Sequence, residues 1–377
     1  MGAAELLVDE AIELVERWLV EADRVQRRAE RRVAERLHGL VTDPDGVAFT
    51  MRFVDRVVRP ESDRVAAHQL HELVAEHRLP AFLGPLDRTL LRTGAGLAPH
   101  LPRLVMPLAR RRLRALVGHL VVDADDPSLA ARLEPLRADG FRLNVNLLGE
   151  AVLGEREARR RRDEALRLLA QPDVDYVSVK VSGIVSQLAP WDHEGSIARV
   201  SRRLRPLYEA AAATDPPTFV NLDMEEYHDL ELTLDVFTRL LDEPALHHLD
   251  AGIAIQAYLP DALPALERLV TWATARHERT HGGRRGGRIK IRLVKGANLA
   301  MERVEAAMRG WPQAPYDTKA DTDANYRRCV DWALTGDHTR AVTIGLASHN
   351  LFDVAWARLL SVSRGVDDRI EFEMLQG

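Results

Sequence analysis

From Leu116 to the end of the chain, short β-rich runs alternate with helical stretches, and no other feature constrains the fold as strongly. The runs are Leu116–Val122, Arg142–Leu148, Tyr176–Ser182, Thr218–Asp223, Gly252–Tyr258, Ile289–Val294, Ala341–Ala347 and Ile370–Leu375. Helical stretches such as Glu157–Ala170, Ile197–Ala213, Leu230–Leu241 and Ala262–Arg276 separate them. Strict alternation implies a parallel sheet with right-handed crossovers, and eight strands imply closure into a TIM-type (β/α)8 barrel of the α/β class. A doubly wound open sheet is the alternative, but no Gly-rich fingerprint supports it. Gly94-Ala95-Gly96 follows no strand, and Gly282-Gly283-Arg284-Arg285-Gly286-Gly287 precedes its strand, so both read as flexible loops.

In a closed barrel, alternate strand residues face the lumen and the surrounding helices. One parity here is apolar: Leu143, Val145 and Leu147; Val177, Val179 and Val181; Val220 and Leu222; Ile253 and Ile255; Ile289, Ile291 and Leu293; Val342, Ile344 and Leu346. The other carries Asn144, Asn146, Ser178, Lys180, Asn221, Asp223, Gln256, Tyr258, Lys290, Arg292, Glu371 and Glu373, with His349 continuing it past the seventh strand. Barrel interiors are normally filled with branched apolar side chains, because an unpaired buried polar group costs roughly 1–3 kcal/mol and a buried charge more. These residues must therefore pair with each other or serve a ligand. Mutual pairing suits Lys290, Glu371 and Asn144. Lys180, Asp223, Gln256, Arg292 and His349 lie at or near the C-terminal strand ends, the face that carries the active site in barrel enzymes, and form the candidate functional set.

Residues 1–110 read as an all-helical arm, which leaves 111–377 for the barrel. Leu14, Val15, Trp18, Ala22, Val25, Ala29, Val33 and Leu37 recur at the spacing of one long amphipathic helix. The turn Asp43-Pro44-Asp45-Gly46 ends it, shorter helices follow around Phe49–Val58 and Ser62–His77, and Pro and Gly punctuate the stretch from Leu79 to Pro107. Arg24, Arg27, Arg28, Arg31 and Arg32 interleave with Glu21, Asp23, Glu30 and Glu35, the pattern of a solvated helix face rather than a nucleic-acid stripe. A net charge of −5 over 377 residues gives no general attraction to nucleic acid. There is no apolar run of about eighteen residues to span a membrane, no second cysteine for Cys329 to pair with, and no signal-like N-terminus, so a cytoplasmic protein is expected.

Four of the 52 basic residues are lysines, Lys180, Lys290, Lys295 and Lys319, which hints at places where a compact amine is needed. No nucleophile sits beside an obvious base, and Cys329 falls in a helix between the sixth and seventh strands. Asp192-His193-Glu194 are consecutive and cannot all meet one metal, while His247-His248 sit near a helix end; no metal is expected in the site. What remains is a cationic mouth of Lys180, Arg292 and Lys295, suited to a carboxylate, a phosphate or the anionic ring of a reduced flavin, with Asp223 to hold the cations in place.

The run Arg292-Leu293-Val294-Lys295-Gly296-Ala297 resembles the flavin-binding strand end of proline dehydrogenases, especially the barrel of the bifunctional proline utilization A proteins. Val177-Ser178-Val179-Lys180-Val181-Ser182, Asn221-Leu222-Asp223-Met224-Glu225-Glu226, Ile255-Gln256-Ala257-Tyr258 and Ser348-His349-Asn350 resemble that family's other signatures, in order and on the expected strands. The resemblance implies an FAD-dependent oxidation of L-proline to pyrroline-5-carboxylate, with hydride passing from C5 to flavin N5. It implies Arg292 beside N5; Met224, Gln256, Lys295, Gly296, Ala297, Ser348 and His349 against FAD; Lys180 and Tyr258 at the substrate; and Asp223 positioning the cations. Gly296 would allow close backbone approach, and Lys295 would offer a point charge to the pyrophosphate. Quinone as electron acceptor, peripheral contact with the inner face of the cell membrane, and a fused or separate semialdehyde dehydrogenase follow from the same resemblance.

Two departures accompany it. Asn298-Leu299 stand after Lys295-Gly296-Ala297 where better-known members carry aromatic residues. The sequence ends at Gln376-Gly377, ahead of the final barrel helix whose Arg-Arg-x-x-Glu motif clamps the substrate carboxylate in the family, so a barrel lacking its last helix and impaired in activity is expected. The competing readings are a Schiff-base aldolase or lyase with Lys180 as the amine, and an inactive barrel kept as an interaction module.

Overall fold

The computed structural model describes residues 7–26, 43–53, 56, 57, 60, 62–80, 83–117, 129–147, 152, 154–189 and 191–375. The chain divides into two compact units, Met1–Arg17 with Ala124–Met374 and Trp18–Asp123 with Leu375–Gly377. Helix α1 (Val8–Val25) runs across that division; the remainder of the long helix expected through Leu37 lies outside the described residues.

The smaller unit contains α2 (Pro44–Phe53), α3 (Asp63–Glu76), α4 (Pro85–Leu97) and α5 (Pro102–Val117). Phe49, Phe53, Ala66, Ala67, Leu70, Leu73, Ala95 and Met106 form its core. The punctuated stretch from Leu79 to Pro107 is thus mostly helical. Gly84 and Pro85 start α4 with Pro at a position that needs no amide donor, and burial of Ala95 and Ala98 overrides the weak helix propensity of Gly94 and Gly96.

The larger unit alternates as the sequence predicts. Its elements are α6 (Leu129–Ala138), β1 (Val145–Asn146), α7 (Glu155–Leu169), β2 (Tyr176–Lys180), α8 (His193–Ala212), β3 (Phe219–Asp223), α9 (Leu230–Leu241), β4 (Ala251–Gln256) and α10 (Ala262–Glu278). The ribbon β5 (Thr280–His281) and β6 (Arg284–Arg285) follows, then β7 (Ile289–Val294), α11 (Leu299–Arg309), α12 (Lys319–Ala333), β8 (Val342–Ala347), α13 (Leu351–Ser363) and β9 (Ile370–Glu373). β1, β2, β3, β4, β7, β8 and β9 form one parallel sheet in that order. The first expected run, Leu116–Val122, is corrected in part: α5 stays helical through Val117, and residues 118–122 lie outside the described residues. The sheet curls until Arg142, just before β1, lies 3.8 Å from Glu371 on β9, so the two described edges approach each other.

Val177, Val220, Leu222, Ile253, Ile255, Ile291, Leu293, Val342, Ile344 and Leu346 are buried on the helix-facing side, each contributing about 1.5–3 kcal/mol. The Gly282-Gly283 stretch is a hairpin turn rather than a flexible loop: both residues have positive φ, +58° and +78°, as a two-residue type I′ turn requires. No helix among the described residues is long and apolar enough to cross a membrane.

Candidate active site

The lumen-facing parity converges on one guanidinium. Arg292 on β7 donates from Nε to Glu373 (2.6 Å), from Nη1 to Asp223 (2.9 Å) and Ser178 (3.2 Å), and from Nη2 to the Tyr176 hydroxyl (2.6 Å). These partners come from β9, β3 and β2, so the parallel register turns sequence parity into a cross-lumen cluster. Asn221 donates to Asp223 (2.7 Å), and Asn144 to Ser178 (2.9 Å). Below Arg292, Lys290 lies 2.8 Å from Glu371 and 2.9 Å from Glu373, with its ammonium 4.3 Å from the centre of the Tyr176 ring. The pairings expected for Lys290 with Glu371 and for Arg292 with Asp223 are both present.

Charge in this place is tolerable only because it is paired. Burial pushes the Asp223 carboxyl up from its ordinary range, against the pull of Arg292 and Lys180. For Arg292 and Lys290 burial opposes the charged form, but Tyr176 and the facing carboxylates outweigh it, and both end above their usual values.

Above this cluster the strand ends make a polar rim. Lys180 pairs with Glu225 at 2.5 Å. Gln256 donates to the Met224 carbonyl (3.1 Å) and to that of Glu225, and accepts from the Ala297 amide (3.0 Å), so one side chain ties the ends of β3, β4 and β7 together. Buried Tyr258 donates to the Glu225 carbonyl (3.3 Å), and its ring lies under Gly296. Gly296 has φ +143°, and a Cβ there would meet the ring at 2.4 Å, so only glycine brings the backbone this close. Lys295 is held by Asp323 and by Asp353 (2.6 Å). Ser348 is buried directly after β8, where its hydroxyl accepts from the Asn350 amide (3.1 Å), and His349 beside it is exposed.

The predicted residues on these strands therefore separate into three groups. Asp223 and Arg292 touch, and Met224, Gln256, Tyr258, Gly296 and Ala297 interlock. Lys180 and Lys295 each sit in an ion pair at the rim. Glu225, Asp323, Asp353 and Tyr176 were not expected as site residues. Tyr176 shares the parity of Ser178 and Lys180 and could have been read from it; Asp323 and Asp353 lie on helices with no local signal. The donor set suits an anionic group: ammonium groups of Lys180 and Lys295 stand at the rim, while the missing Cβ of Gly296 is the space the Tyr258 ring fills.

Other residues noted in the sequence have structural roles. His193 bonds Asp235 (2.6 Å), Glu194 pairs with Arg239 (2.7 Å), and Asp192 caps α8. Burial raises the Cys329 thiol to about 11. Glu226, His228 and Glu305 lie with their ligand atoms within 4.8 Å of one another, beside Asp229, whose carboxyl is pushed up to about 6 by burial and by the neighbouring carboxylates.

Comparison with known proteins gives the family. The family model described as Proline dehydrogenase matches residues 129–377. A proline dehydrogenase of Deinococcus radiodurans is 27% identical over 282 residues, covering 72% of this chain and 78% of the relative. The bifunctional protein PutA of Escherichia coli is 26% identical over 318 residues, 81% of this chain but 23% of its own length. Among solved structures, proline utilization A from Corynebacterium freiburgense is 48% identical with a TM-score of 0.66, covering 75% of this chain and 29% of that one. The Bdellovibrio bacteriovorus protein inactivated by N-propargylglycine is 25% identical with a TM-score of 0.76, covering 100% of this chain and 37% of its own. The chain spans well under half the length of these proline utilization A proteins.

Proposed function

Because this chain belongs to the proline dehydrogenase family, oxidoreductases that act on proline in its catabolism, we propose that the barrel mouth oxidises L-proline to pyrroline-5-carboxylate with FAD as cofactor. The observation that carries the reading is Arg292, a buried guanidinium held by groups on three other strands at the mouth of a polar lumen. When bound, FAD supplies the acceptor for hydride from proline C5.

The protein's own residues do the rest. Arg292 is fixed before the reaction and presents positive charge without reorganising, which is where electrostatic catalysis draws its advantage. Asp223 orients it and balances part of its charge. Lys180 offers its ammonium to the proline carboxylate, exchanging Glu225 for the substrate, and Tyr258 closes the floor on that side. Met224, Gln256, Gly296, Ala297, Ser348 and His349 would form the cofactor bed, and Lys295, steadied by Asp323 and Asp353, would offer its charge to the pyrophosphate. We place the protein in the cytoplasm with peripheral membrane contact, quinone as electron acceptor and a semialdehyde dehydrogenase, fused or separate, as the consumer of the product.

The visible spectrum tests this directly. The purified protein, reconstituted with FAD, should show flavin absorbance that bleaches when L-proline is added without oxygen. A protein that takes up no FAD would overturn the cofactor assignment; a bound flavin that dithionite bleaches and proline does not would overturn the substrate.

A further inference from the structure

We propose that Glu373 is a positioning residue for Arg292, fixing the guanidinium and restraining the positive charge it presents to the flavin. This rests on the flavin reading above and adds to it a residue that sets the electrostatics of the site from the far side of the lumen.

Three observations carry it. Glu373 on β9 accepts from Arg292 Nε through one oxygen (2.6 Å) and faces Lys290 through the other (2.9 Å), so one carboxylate serves both lumen cations. Room for it is provided by Gly345, which pairs in register with Arg292 on β8: a Cβ at residue 345 would lie 2.3 Å from the Glu373 carboxylate and 3.4 Å from the Arg292 Cα. Glycine inside a strand weakens it, and here the omitted side chain is the space Glu373 occupies. Third, Arg292 already has a carboxylate in Asp223 and neutral acceptors in Ser178 and Tyr176. Geometry alone would be satisfied by another neutral acceptor at residue 373. A second carboxylate lowers the field at the mouth as well as holding the group.

Glu373→Gln removes the charge while the amide oxygen can still accept from Nε, and Lys290, which loses its second oxygen, keeps Glu371. Sulfite adds reversibly to flavin N5, bleaches it, and binds more tightly as positive charge nearby increases, which gives a readout besides turnover. In flavin-loaded protein, Glu373→Gln is expected to lower the sulfite dissociation constant about tenfold, the scale of one charge in a partly buried site. Glu373→Asp, which keeps the charge, should stay within about threefold of the parent. If Glu373→Gln does not fold, Gly345→Ala reaches the same point by displacing the carboxylate, and its sulfite constant should move in the same direction. A sulfite constant unchanged in the variants while the parent binds flavin overturns this inference alone; a parent that takes up no flavin overturns the cofactor reading and this inference with it.

Discussion

Two buried arginines in the same unit satisfy the same side chain in opposite ways. Arg276, at the end of α10, is fully buried and donates only to backbone carbonyls: Leu241 (3.1 Å), Gly287 (2.7 Å), Leu246 (3.0 Å) and Leu249 (3.0 Å). Among the described residues no carboxylate bonds it, and burial lowers its pKa to about 10. Arg292 is nearly as buried but bonds two carboxylates, and its charge is reinforced. Arg276 ties together the loops that lead into β4 and β7, with its charge tolerated for the sake of four fixed hydrogen bonds. In Arg292 the charge itself is the useful property, and carboxylates hold it in place. The glycine-rich run noted in the sequence belongs to the first strategy: a Cβ on Gly286 or Gly287 would meet the carbonyl of Arg276 at 2.2 Å or that of Leu249 at 2.4 Å.

Substitution should pull the two apart. Arg276→Ala leaves those buried carbonyls without a donor and is expected to cost about 4 kcal/mol, a loss of roughly 10 °C in Tm by circular dichroism, while protein that remains folded keeps its flavin chemistry. An equal loss of flavin reduction at low temperature would break the distinction. Arg292→Lys keeps the charge but loses the fork, so the rate of flavin reduction by proline in stopped-flow should fall about 100-fold, on the order of 3 kcal/mol, with Tm within about 4 °C of the parent. A large Tm loss with normal reduction would make Arg292 another Arg276.

Gly296→Ala addresses the cofactor bed without touching either arginine. The added Cβ meets the Tyr258 ring, and FAD affinity measured on apoprotein is expected to fall about tenfold, near 1.4 kcal/mol.

The smallest effect concerns a buried charge that neither strategy serves well. Asp229 has His228 at 3.4 Å and, among the described residues, no arginine or lysine bonded to it, with its carboxyl raised from 3.8 to about 6. A carboxyl raised on folding favours the folded state below its unfolded pKa, and that advantage is lost as pH rises from about 4 through about 6. Asp229→Asn should therefore stabilise the protein at pH 7 by about 1 kcal/mol, with the gain gone below pH 4; a gain that persists at pH 3.5 in thermal melts would show that charge is not its cause.

Much of the fold was legible because strand parity is a local property. Ile289–Val294 is a strand over the expected span, and β2, β3, β4 and β8 differ from expectation by one or two residues. The site was legible where its residues sit on those strands, as Asp223, Gln256 and Arg292 do. It was not legible where partners come from helices: Asp323 and Asp353 hold Lys295 from α12 and the start of α13. Nor was α4 evident, because Gly and Pro outweigh apolar spacing in a short window and only burial of Ala95 and Ala98 restores the balance.

The alternation of apolar and polar residues by itself determined the parallel sheet, the direction each strand side chain faces, and the presence of more charge in the lumen than a packed core accepts. Which charges meet was decided only by tertiary structure. The curl of the sheet brings Glu373, Asp223, Ser178 and Tyr176 around Arg292 from strands up to 116 residues away, and ion pairing falls off too steeply with distance for sequence spacing to encode it.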